Sequence, residues 1–341
     1  LNNDNTQTVI ISRTDAIGDV VLTLPLAALI KEILGNDTKI LFFGKTYTYP
    51  VISCCDAIDG FLNFDTFNEL DEKAKVEFLK EARANTIIHV FPRKDIAFAA
   101  KVAGIKNRIG TTNRLYHWFN CNRLVRLGRK NSTLHEAQLN IKLLSSIGFK
   151  REVAINDIDS YYHLTKINQL PGEITRLLAG EKFKLVIHPK SHSSAREWKP
   201  DHYRKLISML PPEKFQIIIT GGEKETSFIN DWVQSLPPYV LNLAGKLSLV
   251  EMISLLNSCD GILAASTGPL HIAAALGKHA LGIYPPIRPM HPQRWAPLGS
   301  QAEYLVSGIT CSECRYNPFA CHCMNDVSPE TVCQRIMTWI T

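Results

Sequence analysis

The amino-acid sequence predicts an α/β protein made of two doubly wound parallel-sheet domains in tandem, and three observations lead there. Short β-branched runs alternate with helical periodicity from residue 9 to residue 147. A polar stretch over residues 150–180, interrupted by Pro171 and Gly172, then breaks the pattern. After it the alternation resumes and runs to residue 284. Alternating strands and helices specify a parallel sheet with helices on both faces. The boundary falls in the polar stretch, giving domains at 1–165 and 166–341.

Within the first half, residues 9–12 read as a strand, 19–34 as a helix, 39–43 as a strand, 69–84 as a helix and 86–90 as a strand. Residues 134–147 form a further helix that Gly148 stops. The second half gives a strand at 184–188, a helix at 201–210, a strand at 216–220 and helices at 225–236 and 249–258. A strand at 261–265, a helix at 269–276 and a strand at 279–284 complete it. In open sheets of this kind ligands bind beyond the carboxyl ends of the strands. A crevice between the two halves is the expected active site.

Bulk properties narrow the function. A chain of 341 residues is too long for one ordinary core and fits two. With 45% apolar and 21% charged residues it has the composition of a globular protein. The net charge of +6 suits an anionic small molecule or a lipid headgroup better than a nucleic-acid duplex, so no nucleic-acid partner is expected. The first eight residues lack the basic-then-apolar order of a secretory signal, and the longest apolar region, residues 20–30, is too short to cross a bilayer. The expected location is the cytoplasm. Of nine cysteines, five lie in the last 31 residues, which is not the pattern of a small secreted disulfide framework, so reduced thiols are expected.

Four motifs carry chemistry. The first, residues 12–19, follows the first strand and opens the first helix with a single glycine, Gly18, where a dinucleotide fingerprint would need three; a dehydrogenase is therefore disfavoured. Asp19 either caps that helix or acts as a general base on an acceptor hydroxyl. The second, residues 187–200, supplies Ser191, His192 and Arg196 ahead of a helix, either a diphosphate site or an ordinary polar connection. Trp198 in the same run is core or a lid. The third ends a strand with Gly221, Gly222 and Glu223, a carboxylate placed for ribose hydroxyls or simply for the helix dipole. In the fourth, Ser266, Thr267, Gly268 and Pro269 start a helix whose exposed N–H groups attract phosphate. His271 sits about one turn inside it, where a structural role is the ordinary one.

Taken together the motifs resemble glycosyltransferase family 9, the bacterial ADP-heptose:lipopolysaccharide heptosyltransferases, over nearly the whole chain. The carrying residues are Arg13 to Asp19, Glu197 to Pro200, Ser266 to His271 and Ala273 to Gly277, in that order. The resemblance implies the GT-B architecture, two Rossmann-like domains with the acceptor bound mainly by the first and the nucleotide sugar by the second. It implies an inverting, metal-independent transfer of heptose from ADP-heptose to the inner core of lipopolysaccharide, with no cofactor and with domain closure over the donor. Asp19 would be the catalytic base. Ser191, His192 and Arg196 would hold the diphosphate, Glu223 the ribose, and Ser266, Thr267, Gly268 and His271 the phosphate and sugar side. Backbone near residues 244–247 would meet the adenine. Of the basic series in the first half, Arg93, Lys94 and Arg114 would contact the anionic acceptor. A lipid acceptor implies peripheral contact with the cytoplasmic face of the inner membrane.

This chain has Ser266 where many family members carry Asp, and Arg196 where some carry Lys. Two other readings stay open: transfer of a different sugar, and a noncatalytic sugar-nucleotide-binding protein of the same fold. In the tail, Cys311, Cys314, Cys321 and Cys323 follow a C-x2-C-x6-C-x-C spacing with His322 inside it. The first pair suits zinc but the second is too tight for a standard knuckle, so thiols rather than a metal are expected.

Overall fold

The computed structural model describes residues 7–129, 132–191, 195–288, 290–309 and 323–340. The chain divides into two compact units, Leu1–Lys166 and Ile167–Thr341. Residues up to Lys166 stay with the first unit because the Cys55–Leu164 bridge and the bond from the Asp56 N–H to the His163 carbonyl tie them down.

In the first unit the strands β1 (Thr8–Ser12), β2 (Lys39–Gly44), β3 (Gly60–Asn63), β4 (Thr86–His89), β5 (Asn107–Thr111) and β6 (Arg123–Val125) form one parallel sheet. Their order is β3-β2-β1-β4-β5-β6. β1 is buried along its whole length, and Ile10 lies in register with Leu41 and Ile87 on either side. A strand covered on both faces must read as a continuous apolar run, which is how TVIIS and KILFFG are written.

The second unit repeats the plan. β7 (Phe183–His188), β8 (Phe215–Ile219), β9 (Leu241–Asn242), β10 (Gly261–Ala265), β11 (His279–Tyr284) and β12 (Ala302–Val306) pair in parallel in the order β12-β11-β10-β7-β8-β9. Counted from its first strand, this is the same order as in the first unit. The direction of winding therefore reverses between β1 and β4, and again between β7 and β10. Such switch points are where open α/β sheets bind ligands.

Several expectations needed correction. The single helix over 19–34 is two, Ile17–Val21 and Pro25–Leu34, because Pro25 brings no N–H and can only begin a helix. The hydroxyl of Thr23 donates to the Asp19 carbonyl at 2.7 Å at this break. The helix over 134–147 is an α-helix, Glu136–Ile141, continued by a 3-10 segment, Lys142–Ile147, and ended by Gly148 at φ +102°. Five strands escaped notice, β3, β5, β6, β9 and β12, as did the helices Lys94–Val102, Leu115–Asn120 and Pro329–Met337. Trp198 is core and no lid: it is 2% exposed, and its indole N–H donates to the Val327 carbonyl at 2.9 Å. Of the tail cysteines, Cys311, Cys314 and Cys321 lie outside the described residues. Cys323 is buried at the start of the helix Cys323–Asp326.

Gly221 ends the third motif for a packing reason. A Cβ there would sit 2.2 Å from Cδ1 of Ile229, which is fully buried in the helix Thr226–Val233. Gly221→Ala should lower unfolding free energy by about 1–3 kcal/mol through overpacking. Gly172→Ala, with open space around the new Cβ, should cost nothing. Urea denaturation of both variants checks this; equal midpoints would mean that the helix moves aside freely.

Candidate functional site

At the switch point of the first unit the chain buries an arginine. The Arg13 N–H donates to the Phe43 carbonyl, and the Val90 and Phe91 N–H groups donate to the Ser12 carbonyl, so the loop after β1 is stitched to the ends of β2 and β4. The side chain of Arg13 is 3% exposed and ion-paired with Asp15 at 2.7 Å, Glu136 at 3.1 Å and Asp19. Glu136, 1% exposed, also receives Arg129 at 3.1 Å. Arg129 in turn donates to the Val90 carbonyl at 3.2 Å and to Asn140 at 3.0 Å, and the Asn140 amide donates to the Leu22 carbonyl and the Thr23 hydroxyl. Asp19 does not cap its helix: Ala16 holds the N-cap position, and Asp19 lies in the first turn with its carboxylate on Arg13.

Electrostatics separate the two aspartates' surroundings from ordinary water. Burial is the largest influence on Asp15 and raises its pKa; Asp19 adds to this, Arg13 pulls the other way, and the result is about 6 against an ordinary 3.8. Burial works against the charge on Arg13, but Asp15, Asp19 and Glu136 more than offset it, so Arg13 stays protonated. The phenol of Tyr47 donates to the Asp15 carbonyl at 2.8 Å.

Arg93 and Lys94 follow β4 at the same edge. They line one cavity of about 740 Å³ with Phe91, Asp95 and Phe98. Arg93 stacks 4.2 Å from the Phe64 ring centroid and pairs with Asp95 at 3.2 Å. Arg114 is exposed at the N-cap of the helix Leu115–Asn120 and does not line that cavity; Tyr116 lies within electrostatic reach of both Arg114 and Arg93.

In the second unit the loop after β7 is organised by Glu197. Its carboxylate accepts from the Ser191 N–H at 2.9 Å and the Ser191 hydroxyl at 3.0 Å, and pairs with Lys190. Ser191 is thus buried with its hydroxyl on Glu197 and the Ala195 carbonyl. Arg196 is half-buried beside it, and His192 lies outside the described residues. Glu223 is exposed at the start of a 3-10 turn, while the neighbouring Glu225 is buried and accepts from the Gly222 N–H at 2.8 Å.

After β10, Thr267 is the N-cap of the helix Gly268–Ala275 but makes no side-chain cap bond. It is 6% exposed, and its hydroxyl has no partner among the described residues. Buried hydroxyls are nearly always satisfied, so the Thr267 hydroxyl has a bond to offer at this helix N-terminus. Ser266 shares a hydrogen bond with Tyr284, whose phenol donates to the Trp295 carbonyl at 2.6 Å. His271 is buried within the helix.

The model of glycosyltransferase family 9 (heptosyltransferase) matches residues 79–324. The chain belongs to glycosyltransferase family 9. It is a glycosyltransferase, and its two units are the Rossmann-like pair of the GT-B fold. A Haemophilus influenzae protein assigned to the glycosyltransferases without a named substrate is 23% identical over 306 residues, 87% of this chain and 88% of the relative. An Escherichia coli ADP-heptose lipopolysaccharide heptosyltransferase II superposes with a TM-score of 0.77 at 19% identity, covering 98% of each chain. A second Escherichia coli heptosyltransferase, solved with ADP, gives 0.72 at 19% identity over 98% of this chain and all of that one. At these identities the likeness is one of fold.

For this family 9 enzyme, sequence reasoning picked out Asp19 but missed what holds it. Glu136, Asn140 and Arg129 are more than a hundred residues downstream of Arg13, and only tertiary structure joins them. One signal was present: Glu136 and Asn140 stand four apart on the buried face of a short helix, a polar pair where apolar residues belong. Lys190, paired with Glu197, also lies 4.3 Å from the Phe228 ring centroid.

The raised pKa of Asp15 has a consequence for stability. In the folded chain it keeps its proton up to about pH 6, whereas the unfolded chain releases it near 3.8. Its contribution is therefore present below 3.8 and lost as pH rises through 6. Asp15→Asn should gain in melting temperature relative to wild type as pH goes from 4 to 7; a constant difference across that range would contradict the burial of this carboxyl.

Proposed function

We propose that this glycosyltransferase is an inverting, metal-independent heptosyltransferase that moves heptose from ADP-heptose to the inner core of lipopolysaccharide. We assign it to the cytoplasmic face of the inner membrane, as a peripheral protein. The observation that carries the proposal is the carboxylate of Asp19, held on a buried arginine at the switch point of the first sheet. A group so fixed is suited to take a proton, and the ADP-heptose in the name of one Escherichia coli heptosyltransferase, with the ADP bound to the other, suggests the donor class. No helix among the described residues is long and apolar enough to cross a membrane, which fits peripheral attachment.

In the proposed reaction the first unit binds the acceptor, with Arg93, Lys94 and Arg114 meeting its anionic groups. Asp19 removes the proton of the acceptor hydroxyl as that oxygen forms a bond to the anomeric carbon. The bond from that carbon to the diphosphate breaks on the opposite face, inverting the centre, and ADP leaves with the electron pair. The second unit meets the growing charge on the diphosphate. The helix N-terminus at Thr267 and Gly268, Arg196 and the loop of Ser191 and His192 supply donors and positive potential there. Glu223 takes the ribose, and Ser266 and His271 the sugar side. This division of work gives the leaving group cationic and dipolar partners from the protein itself.

The test is transfer from ADP-heptose, beside other nucleotide sugars, to a heptose-less lipid A core with chelator present. Wild type should prefer ADP-heptose. Asp19→Asn should lose about 10²-fold or more in kcat, the usual worth of a general base, while ADP binding by calorimetry is unchanged. Preference for another sugar would revise the donor, a possibility to which Ser266 in place of the family's Asp is relevant. Nucleotide binding without turnover of any donor would overturn the enzyme mechanism in favour of a binding protein.

Thr267→Val should lower kcat/KM for the donor about tenfold, the cost of one hydrogen bond to a charged group, with kcat falling too because the charge it meets grows in the transition state. Initial rates across donor concentrations read this directly.

A further inference from the structure

The helix Leu115–Asn120 is turned inside out. Leu115, Trp118 and Phe119, spaced i, i+3 and i+4 along one face, are 76%, 58% and 68% exposed, while the polar His117 and Asn120 are buried. A surface helix ordinarily does the reverse. The inversion is fixed by specific bonds. Nδ1 of His117 accepts from the Thr111 N–H at 2.9 Å, and Gly110 makes room for the ring, since a Cβ there would lie 2.7 Å from that nitrogen. Burial lowers the pKa of His117, so the buried ring is neutral and can accept. The indole N–H of Trp118 donates to the Thr112 carbonyl at 2.9 Å, which leaves the rest of the ring outside. Lys101 donates to the Phe119 carbonyl at 2.9 Å and clamps the helix Lys94–Val102 alongside. That helix adds two exposed apolar side chains, Phe98 at 45% and Val102 at 51%.

The exposed charges beside the inverted helix are basic, with Lys101, Lys106 and Arg114 next to it, while Glu72 and Asp95 lie on the cavity side of Phe98. Between Asp95 and Glu136 the sequence has no acidic residue and eight Lys or Arg. Lys101, Lys106, Arg114, Arg123 and Arg126 are all exposed. Lys106 sits by the end of the inverted helix, its carbonyl accepting from Asn122 at 2.8 Å. Exposed aromatics beside cations match the boundary of a bilayer, where rings sit at headgroup level and Lys and Arg meet lipid phosphates. A second copy of this chain fits poorly, because it would bring the same cationic rim against itself. Phe98 belongs both to this face and to the cavity lined by Arg93 and Lys94.

We infer that the face formed by Leu115, Trp118, Phe119, Phe98 and Val102 docks onto a bilayer containing anionic phospholipid. The apolar side chains enter the headgroup region and the surrounding Lys and Arg pair with phosphates. This rests on the lipid-linked acceptor of the proposed function for its purpose, but its test does not use transfer.

Co-sedimentation with vesicles of phosphatidylcholine alone, or mixed with phosphatidylglycerol and free of lipopolysaccharide, tests it. Wild type should bind the mixed vesicles, bind phosphatidylcholine far less, and be released as salt is raised toward about 0.5 M. Leu115→Ser/Trp118→Ser/Phe119→Ser should weaken partitioning about tenfold or more, with its melting temperature confirming the fold. Lys106→Glu should weaken it less, and removes no apolar group. Absence of wild-type binding, or equal binding by the triple variant, would overturn the inference. So would a fall in oligomeric mass on light scattering caused by the triple variant, which would make the face a protein interface. Transfer to a soluble, deacylated core oligosaccharide separates the two ideas: turnover without vesicle binding sinks the docking face alone, and vesicle binding without turnover sinks the proposed reaction alone.

Discussion

Arg13 brings a full positive charge to the carboxyl end of β1 with 3% of its side chain exposed, and the edge of the first unit is arranged around that fact. An unpaired buried cation is expensive, and breaking a buried pair by removing one partner typically costs about 3–5 kcal/mol. Three carboxylates answer the charge: Asp15 from its own loop, Asp19 from the first turn of the helix Ile17–Val21 and Glu136 from the helix Glu136–Ile141. Because Glu136 also holds Arg129, and Arg129 bonds to the end of β4, the cluster locks the ends of β1 and β4 to a helix that follows them by a long stretch of chain. Asp19 is thereby held in one position, against a cation that favours a charged carboxylate.

The two units use one sheet order for two different kinds of site. The first fills its switch point with a network of paired charges, and the second places there a helix N-terminus capped by Thr267, whose buried hydroxyl has no partner among the described residues. A network of paired charges is rigid and suits a group that must be aimed. An unsatisfied hydroxyl has bonds to offer, which suits a phosphate. The same topology thus carries a fixed carboxylate in one half and a helix N-terminus with the buried Thr267 hydroxyl in the other, the two features on which the proposed reaction draws.

How much of this could be read beforehand follows burial. β7, β10, β11 and the helix Leu249–Ser258 were found within a residue, since buried parallel strands are plain apolar runs and Ser248 with Glu251 forms a capping box ahead of the helix. β5 reads NRIGT and β6 reads RLV, sequences whose charges hide a strand that lies toward or at the sheet edge. The helix Leu115–Asn120 was illegible for a different reason: its apolar face looks outward, so a reading that assigns apolar positions to the core has nothing to match. Asp19 stood out because a glycine and a helix start frame it. Its anchor did not, because the meeting of Arg13 with Glu136 is a tertiary event that no local pattern announces.

The most direct measurement is the pH dependence of kcat/KM for transfer to a soluble acceptor in wild type and Arg13→Gln, with melting temperatures recorded to confirm both are folded. If Arg13 keeps Asp19 ionised, the variant retains activity at high pH while the acidic limb of its profile moves upward by about one unit or more, the scale on which a neighbouring cation shifts a carboxylate. An acidic limb in the same place, whatever the change in rate, would contradict the claim and reduce Arg13 to a structural residue.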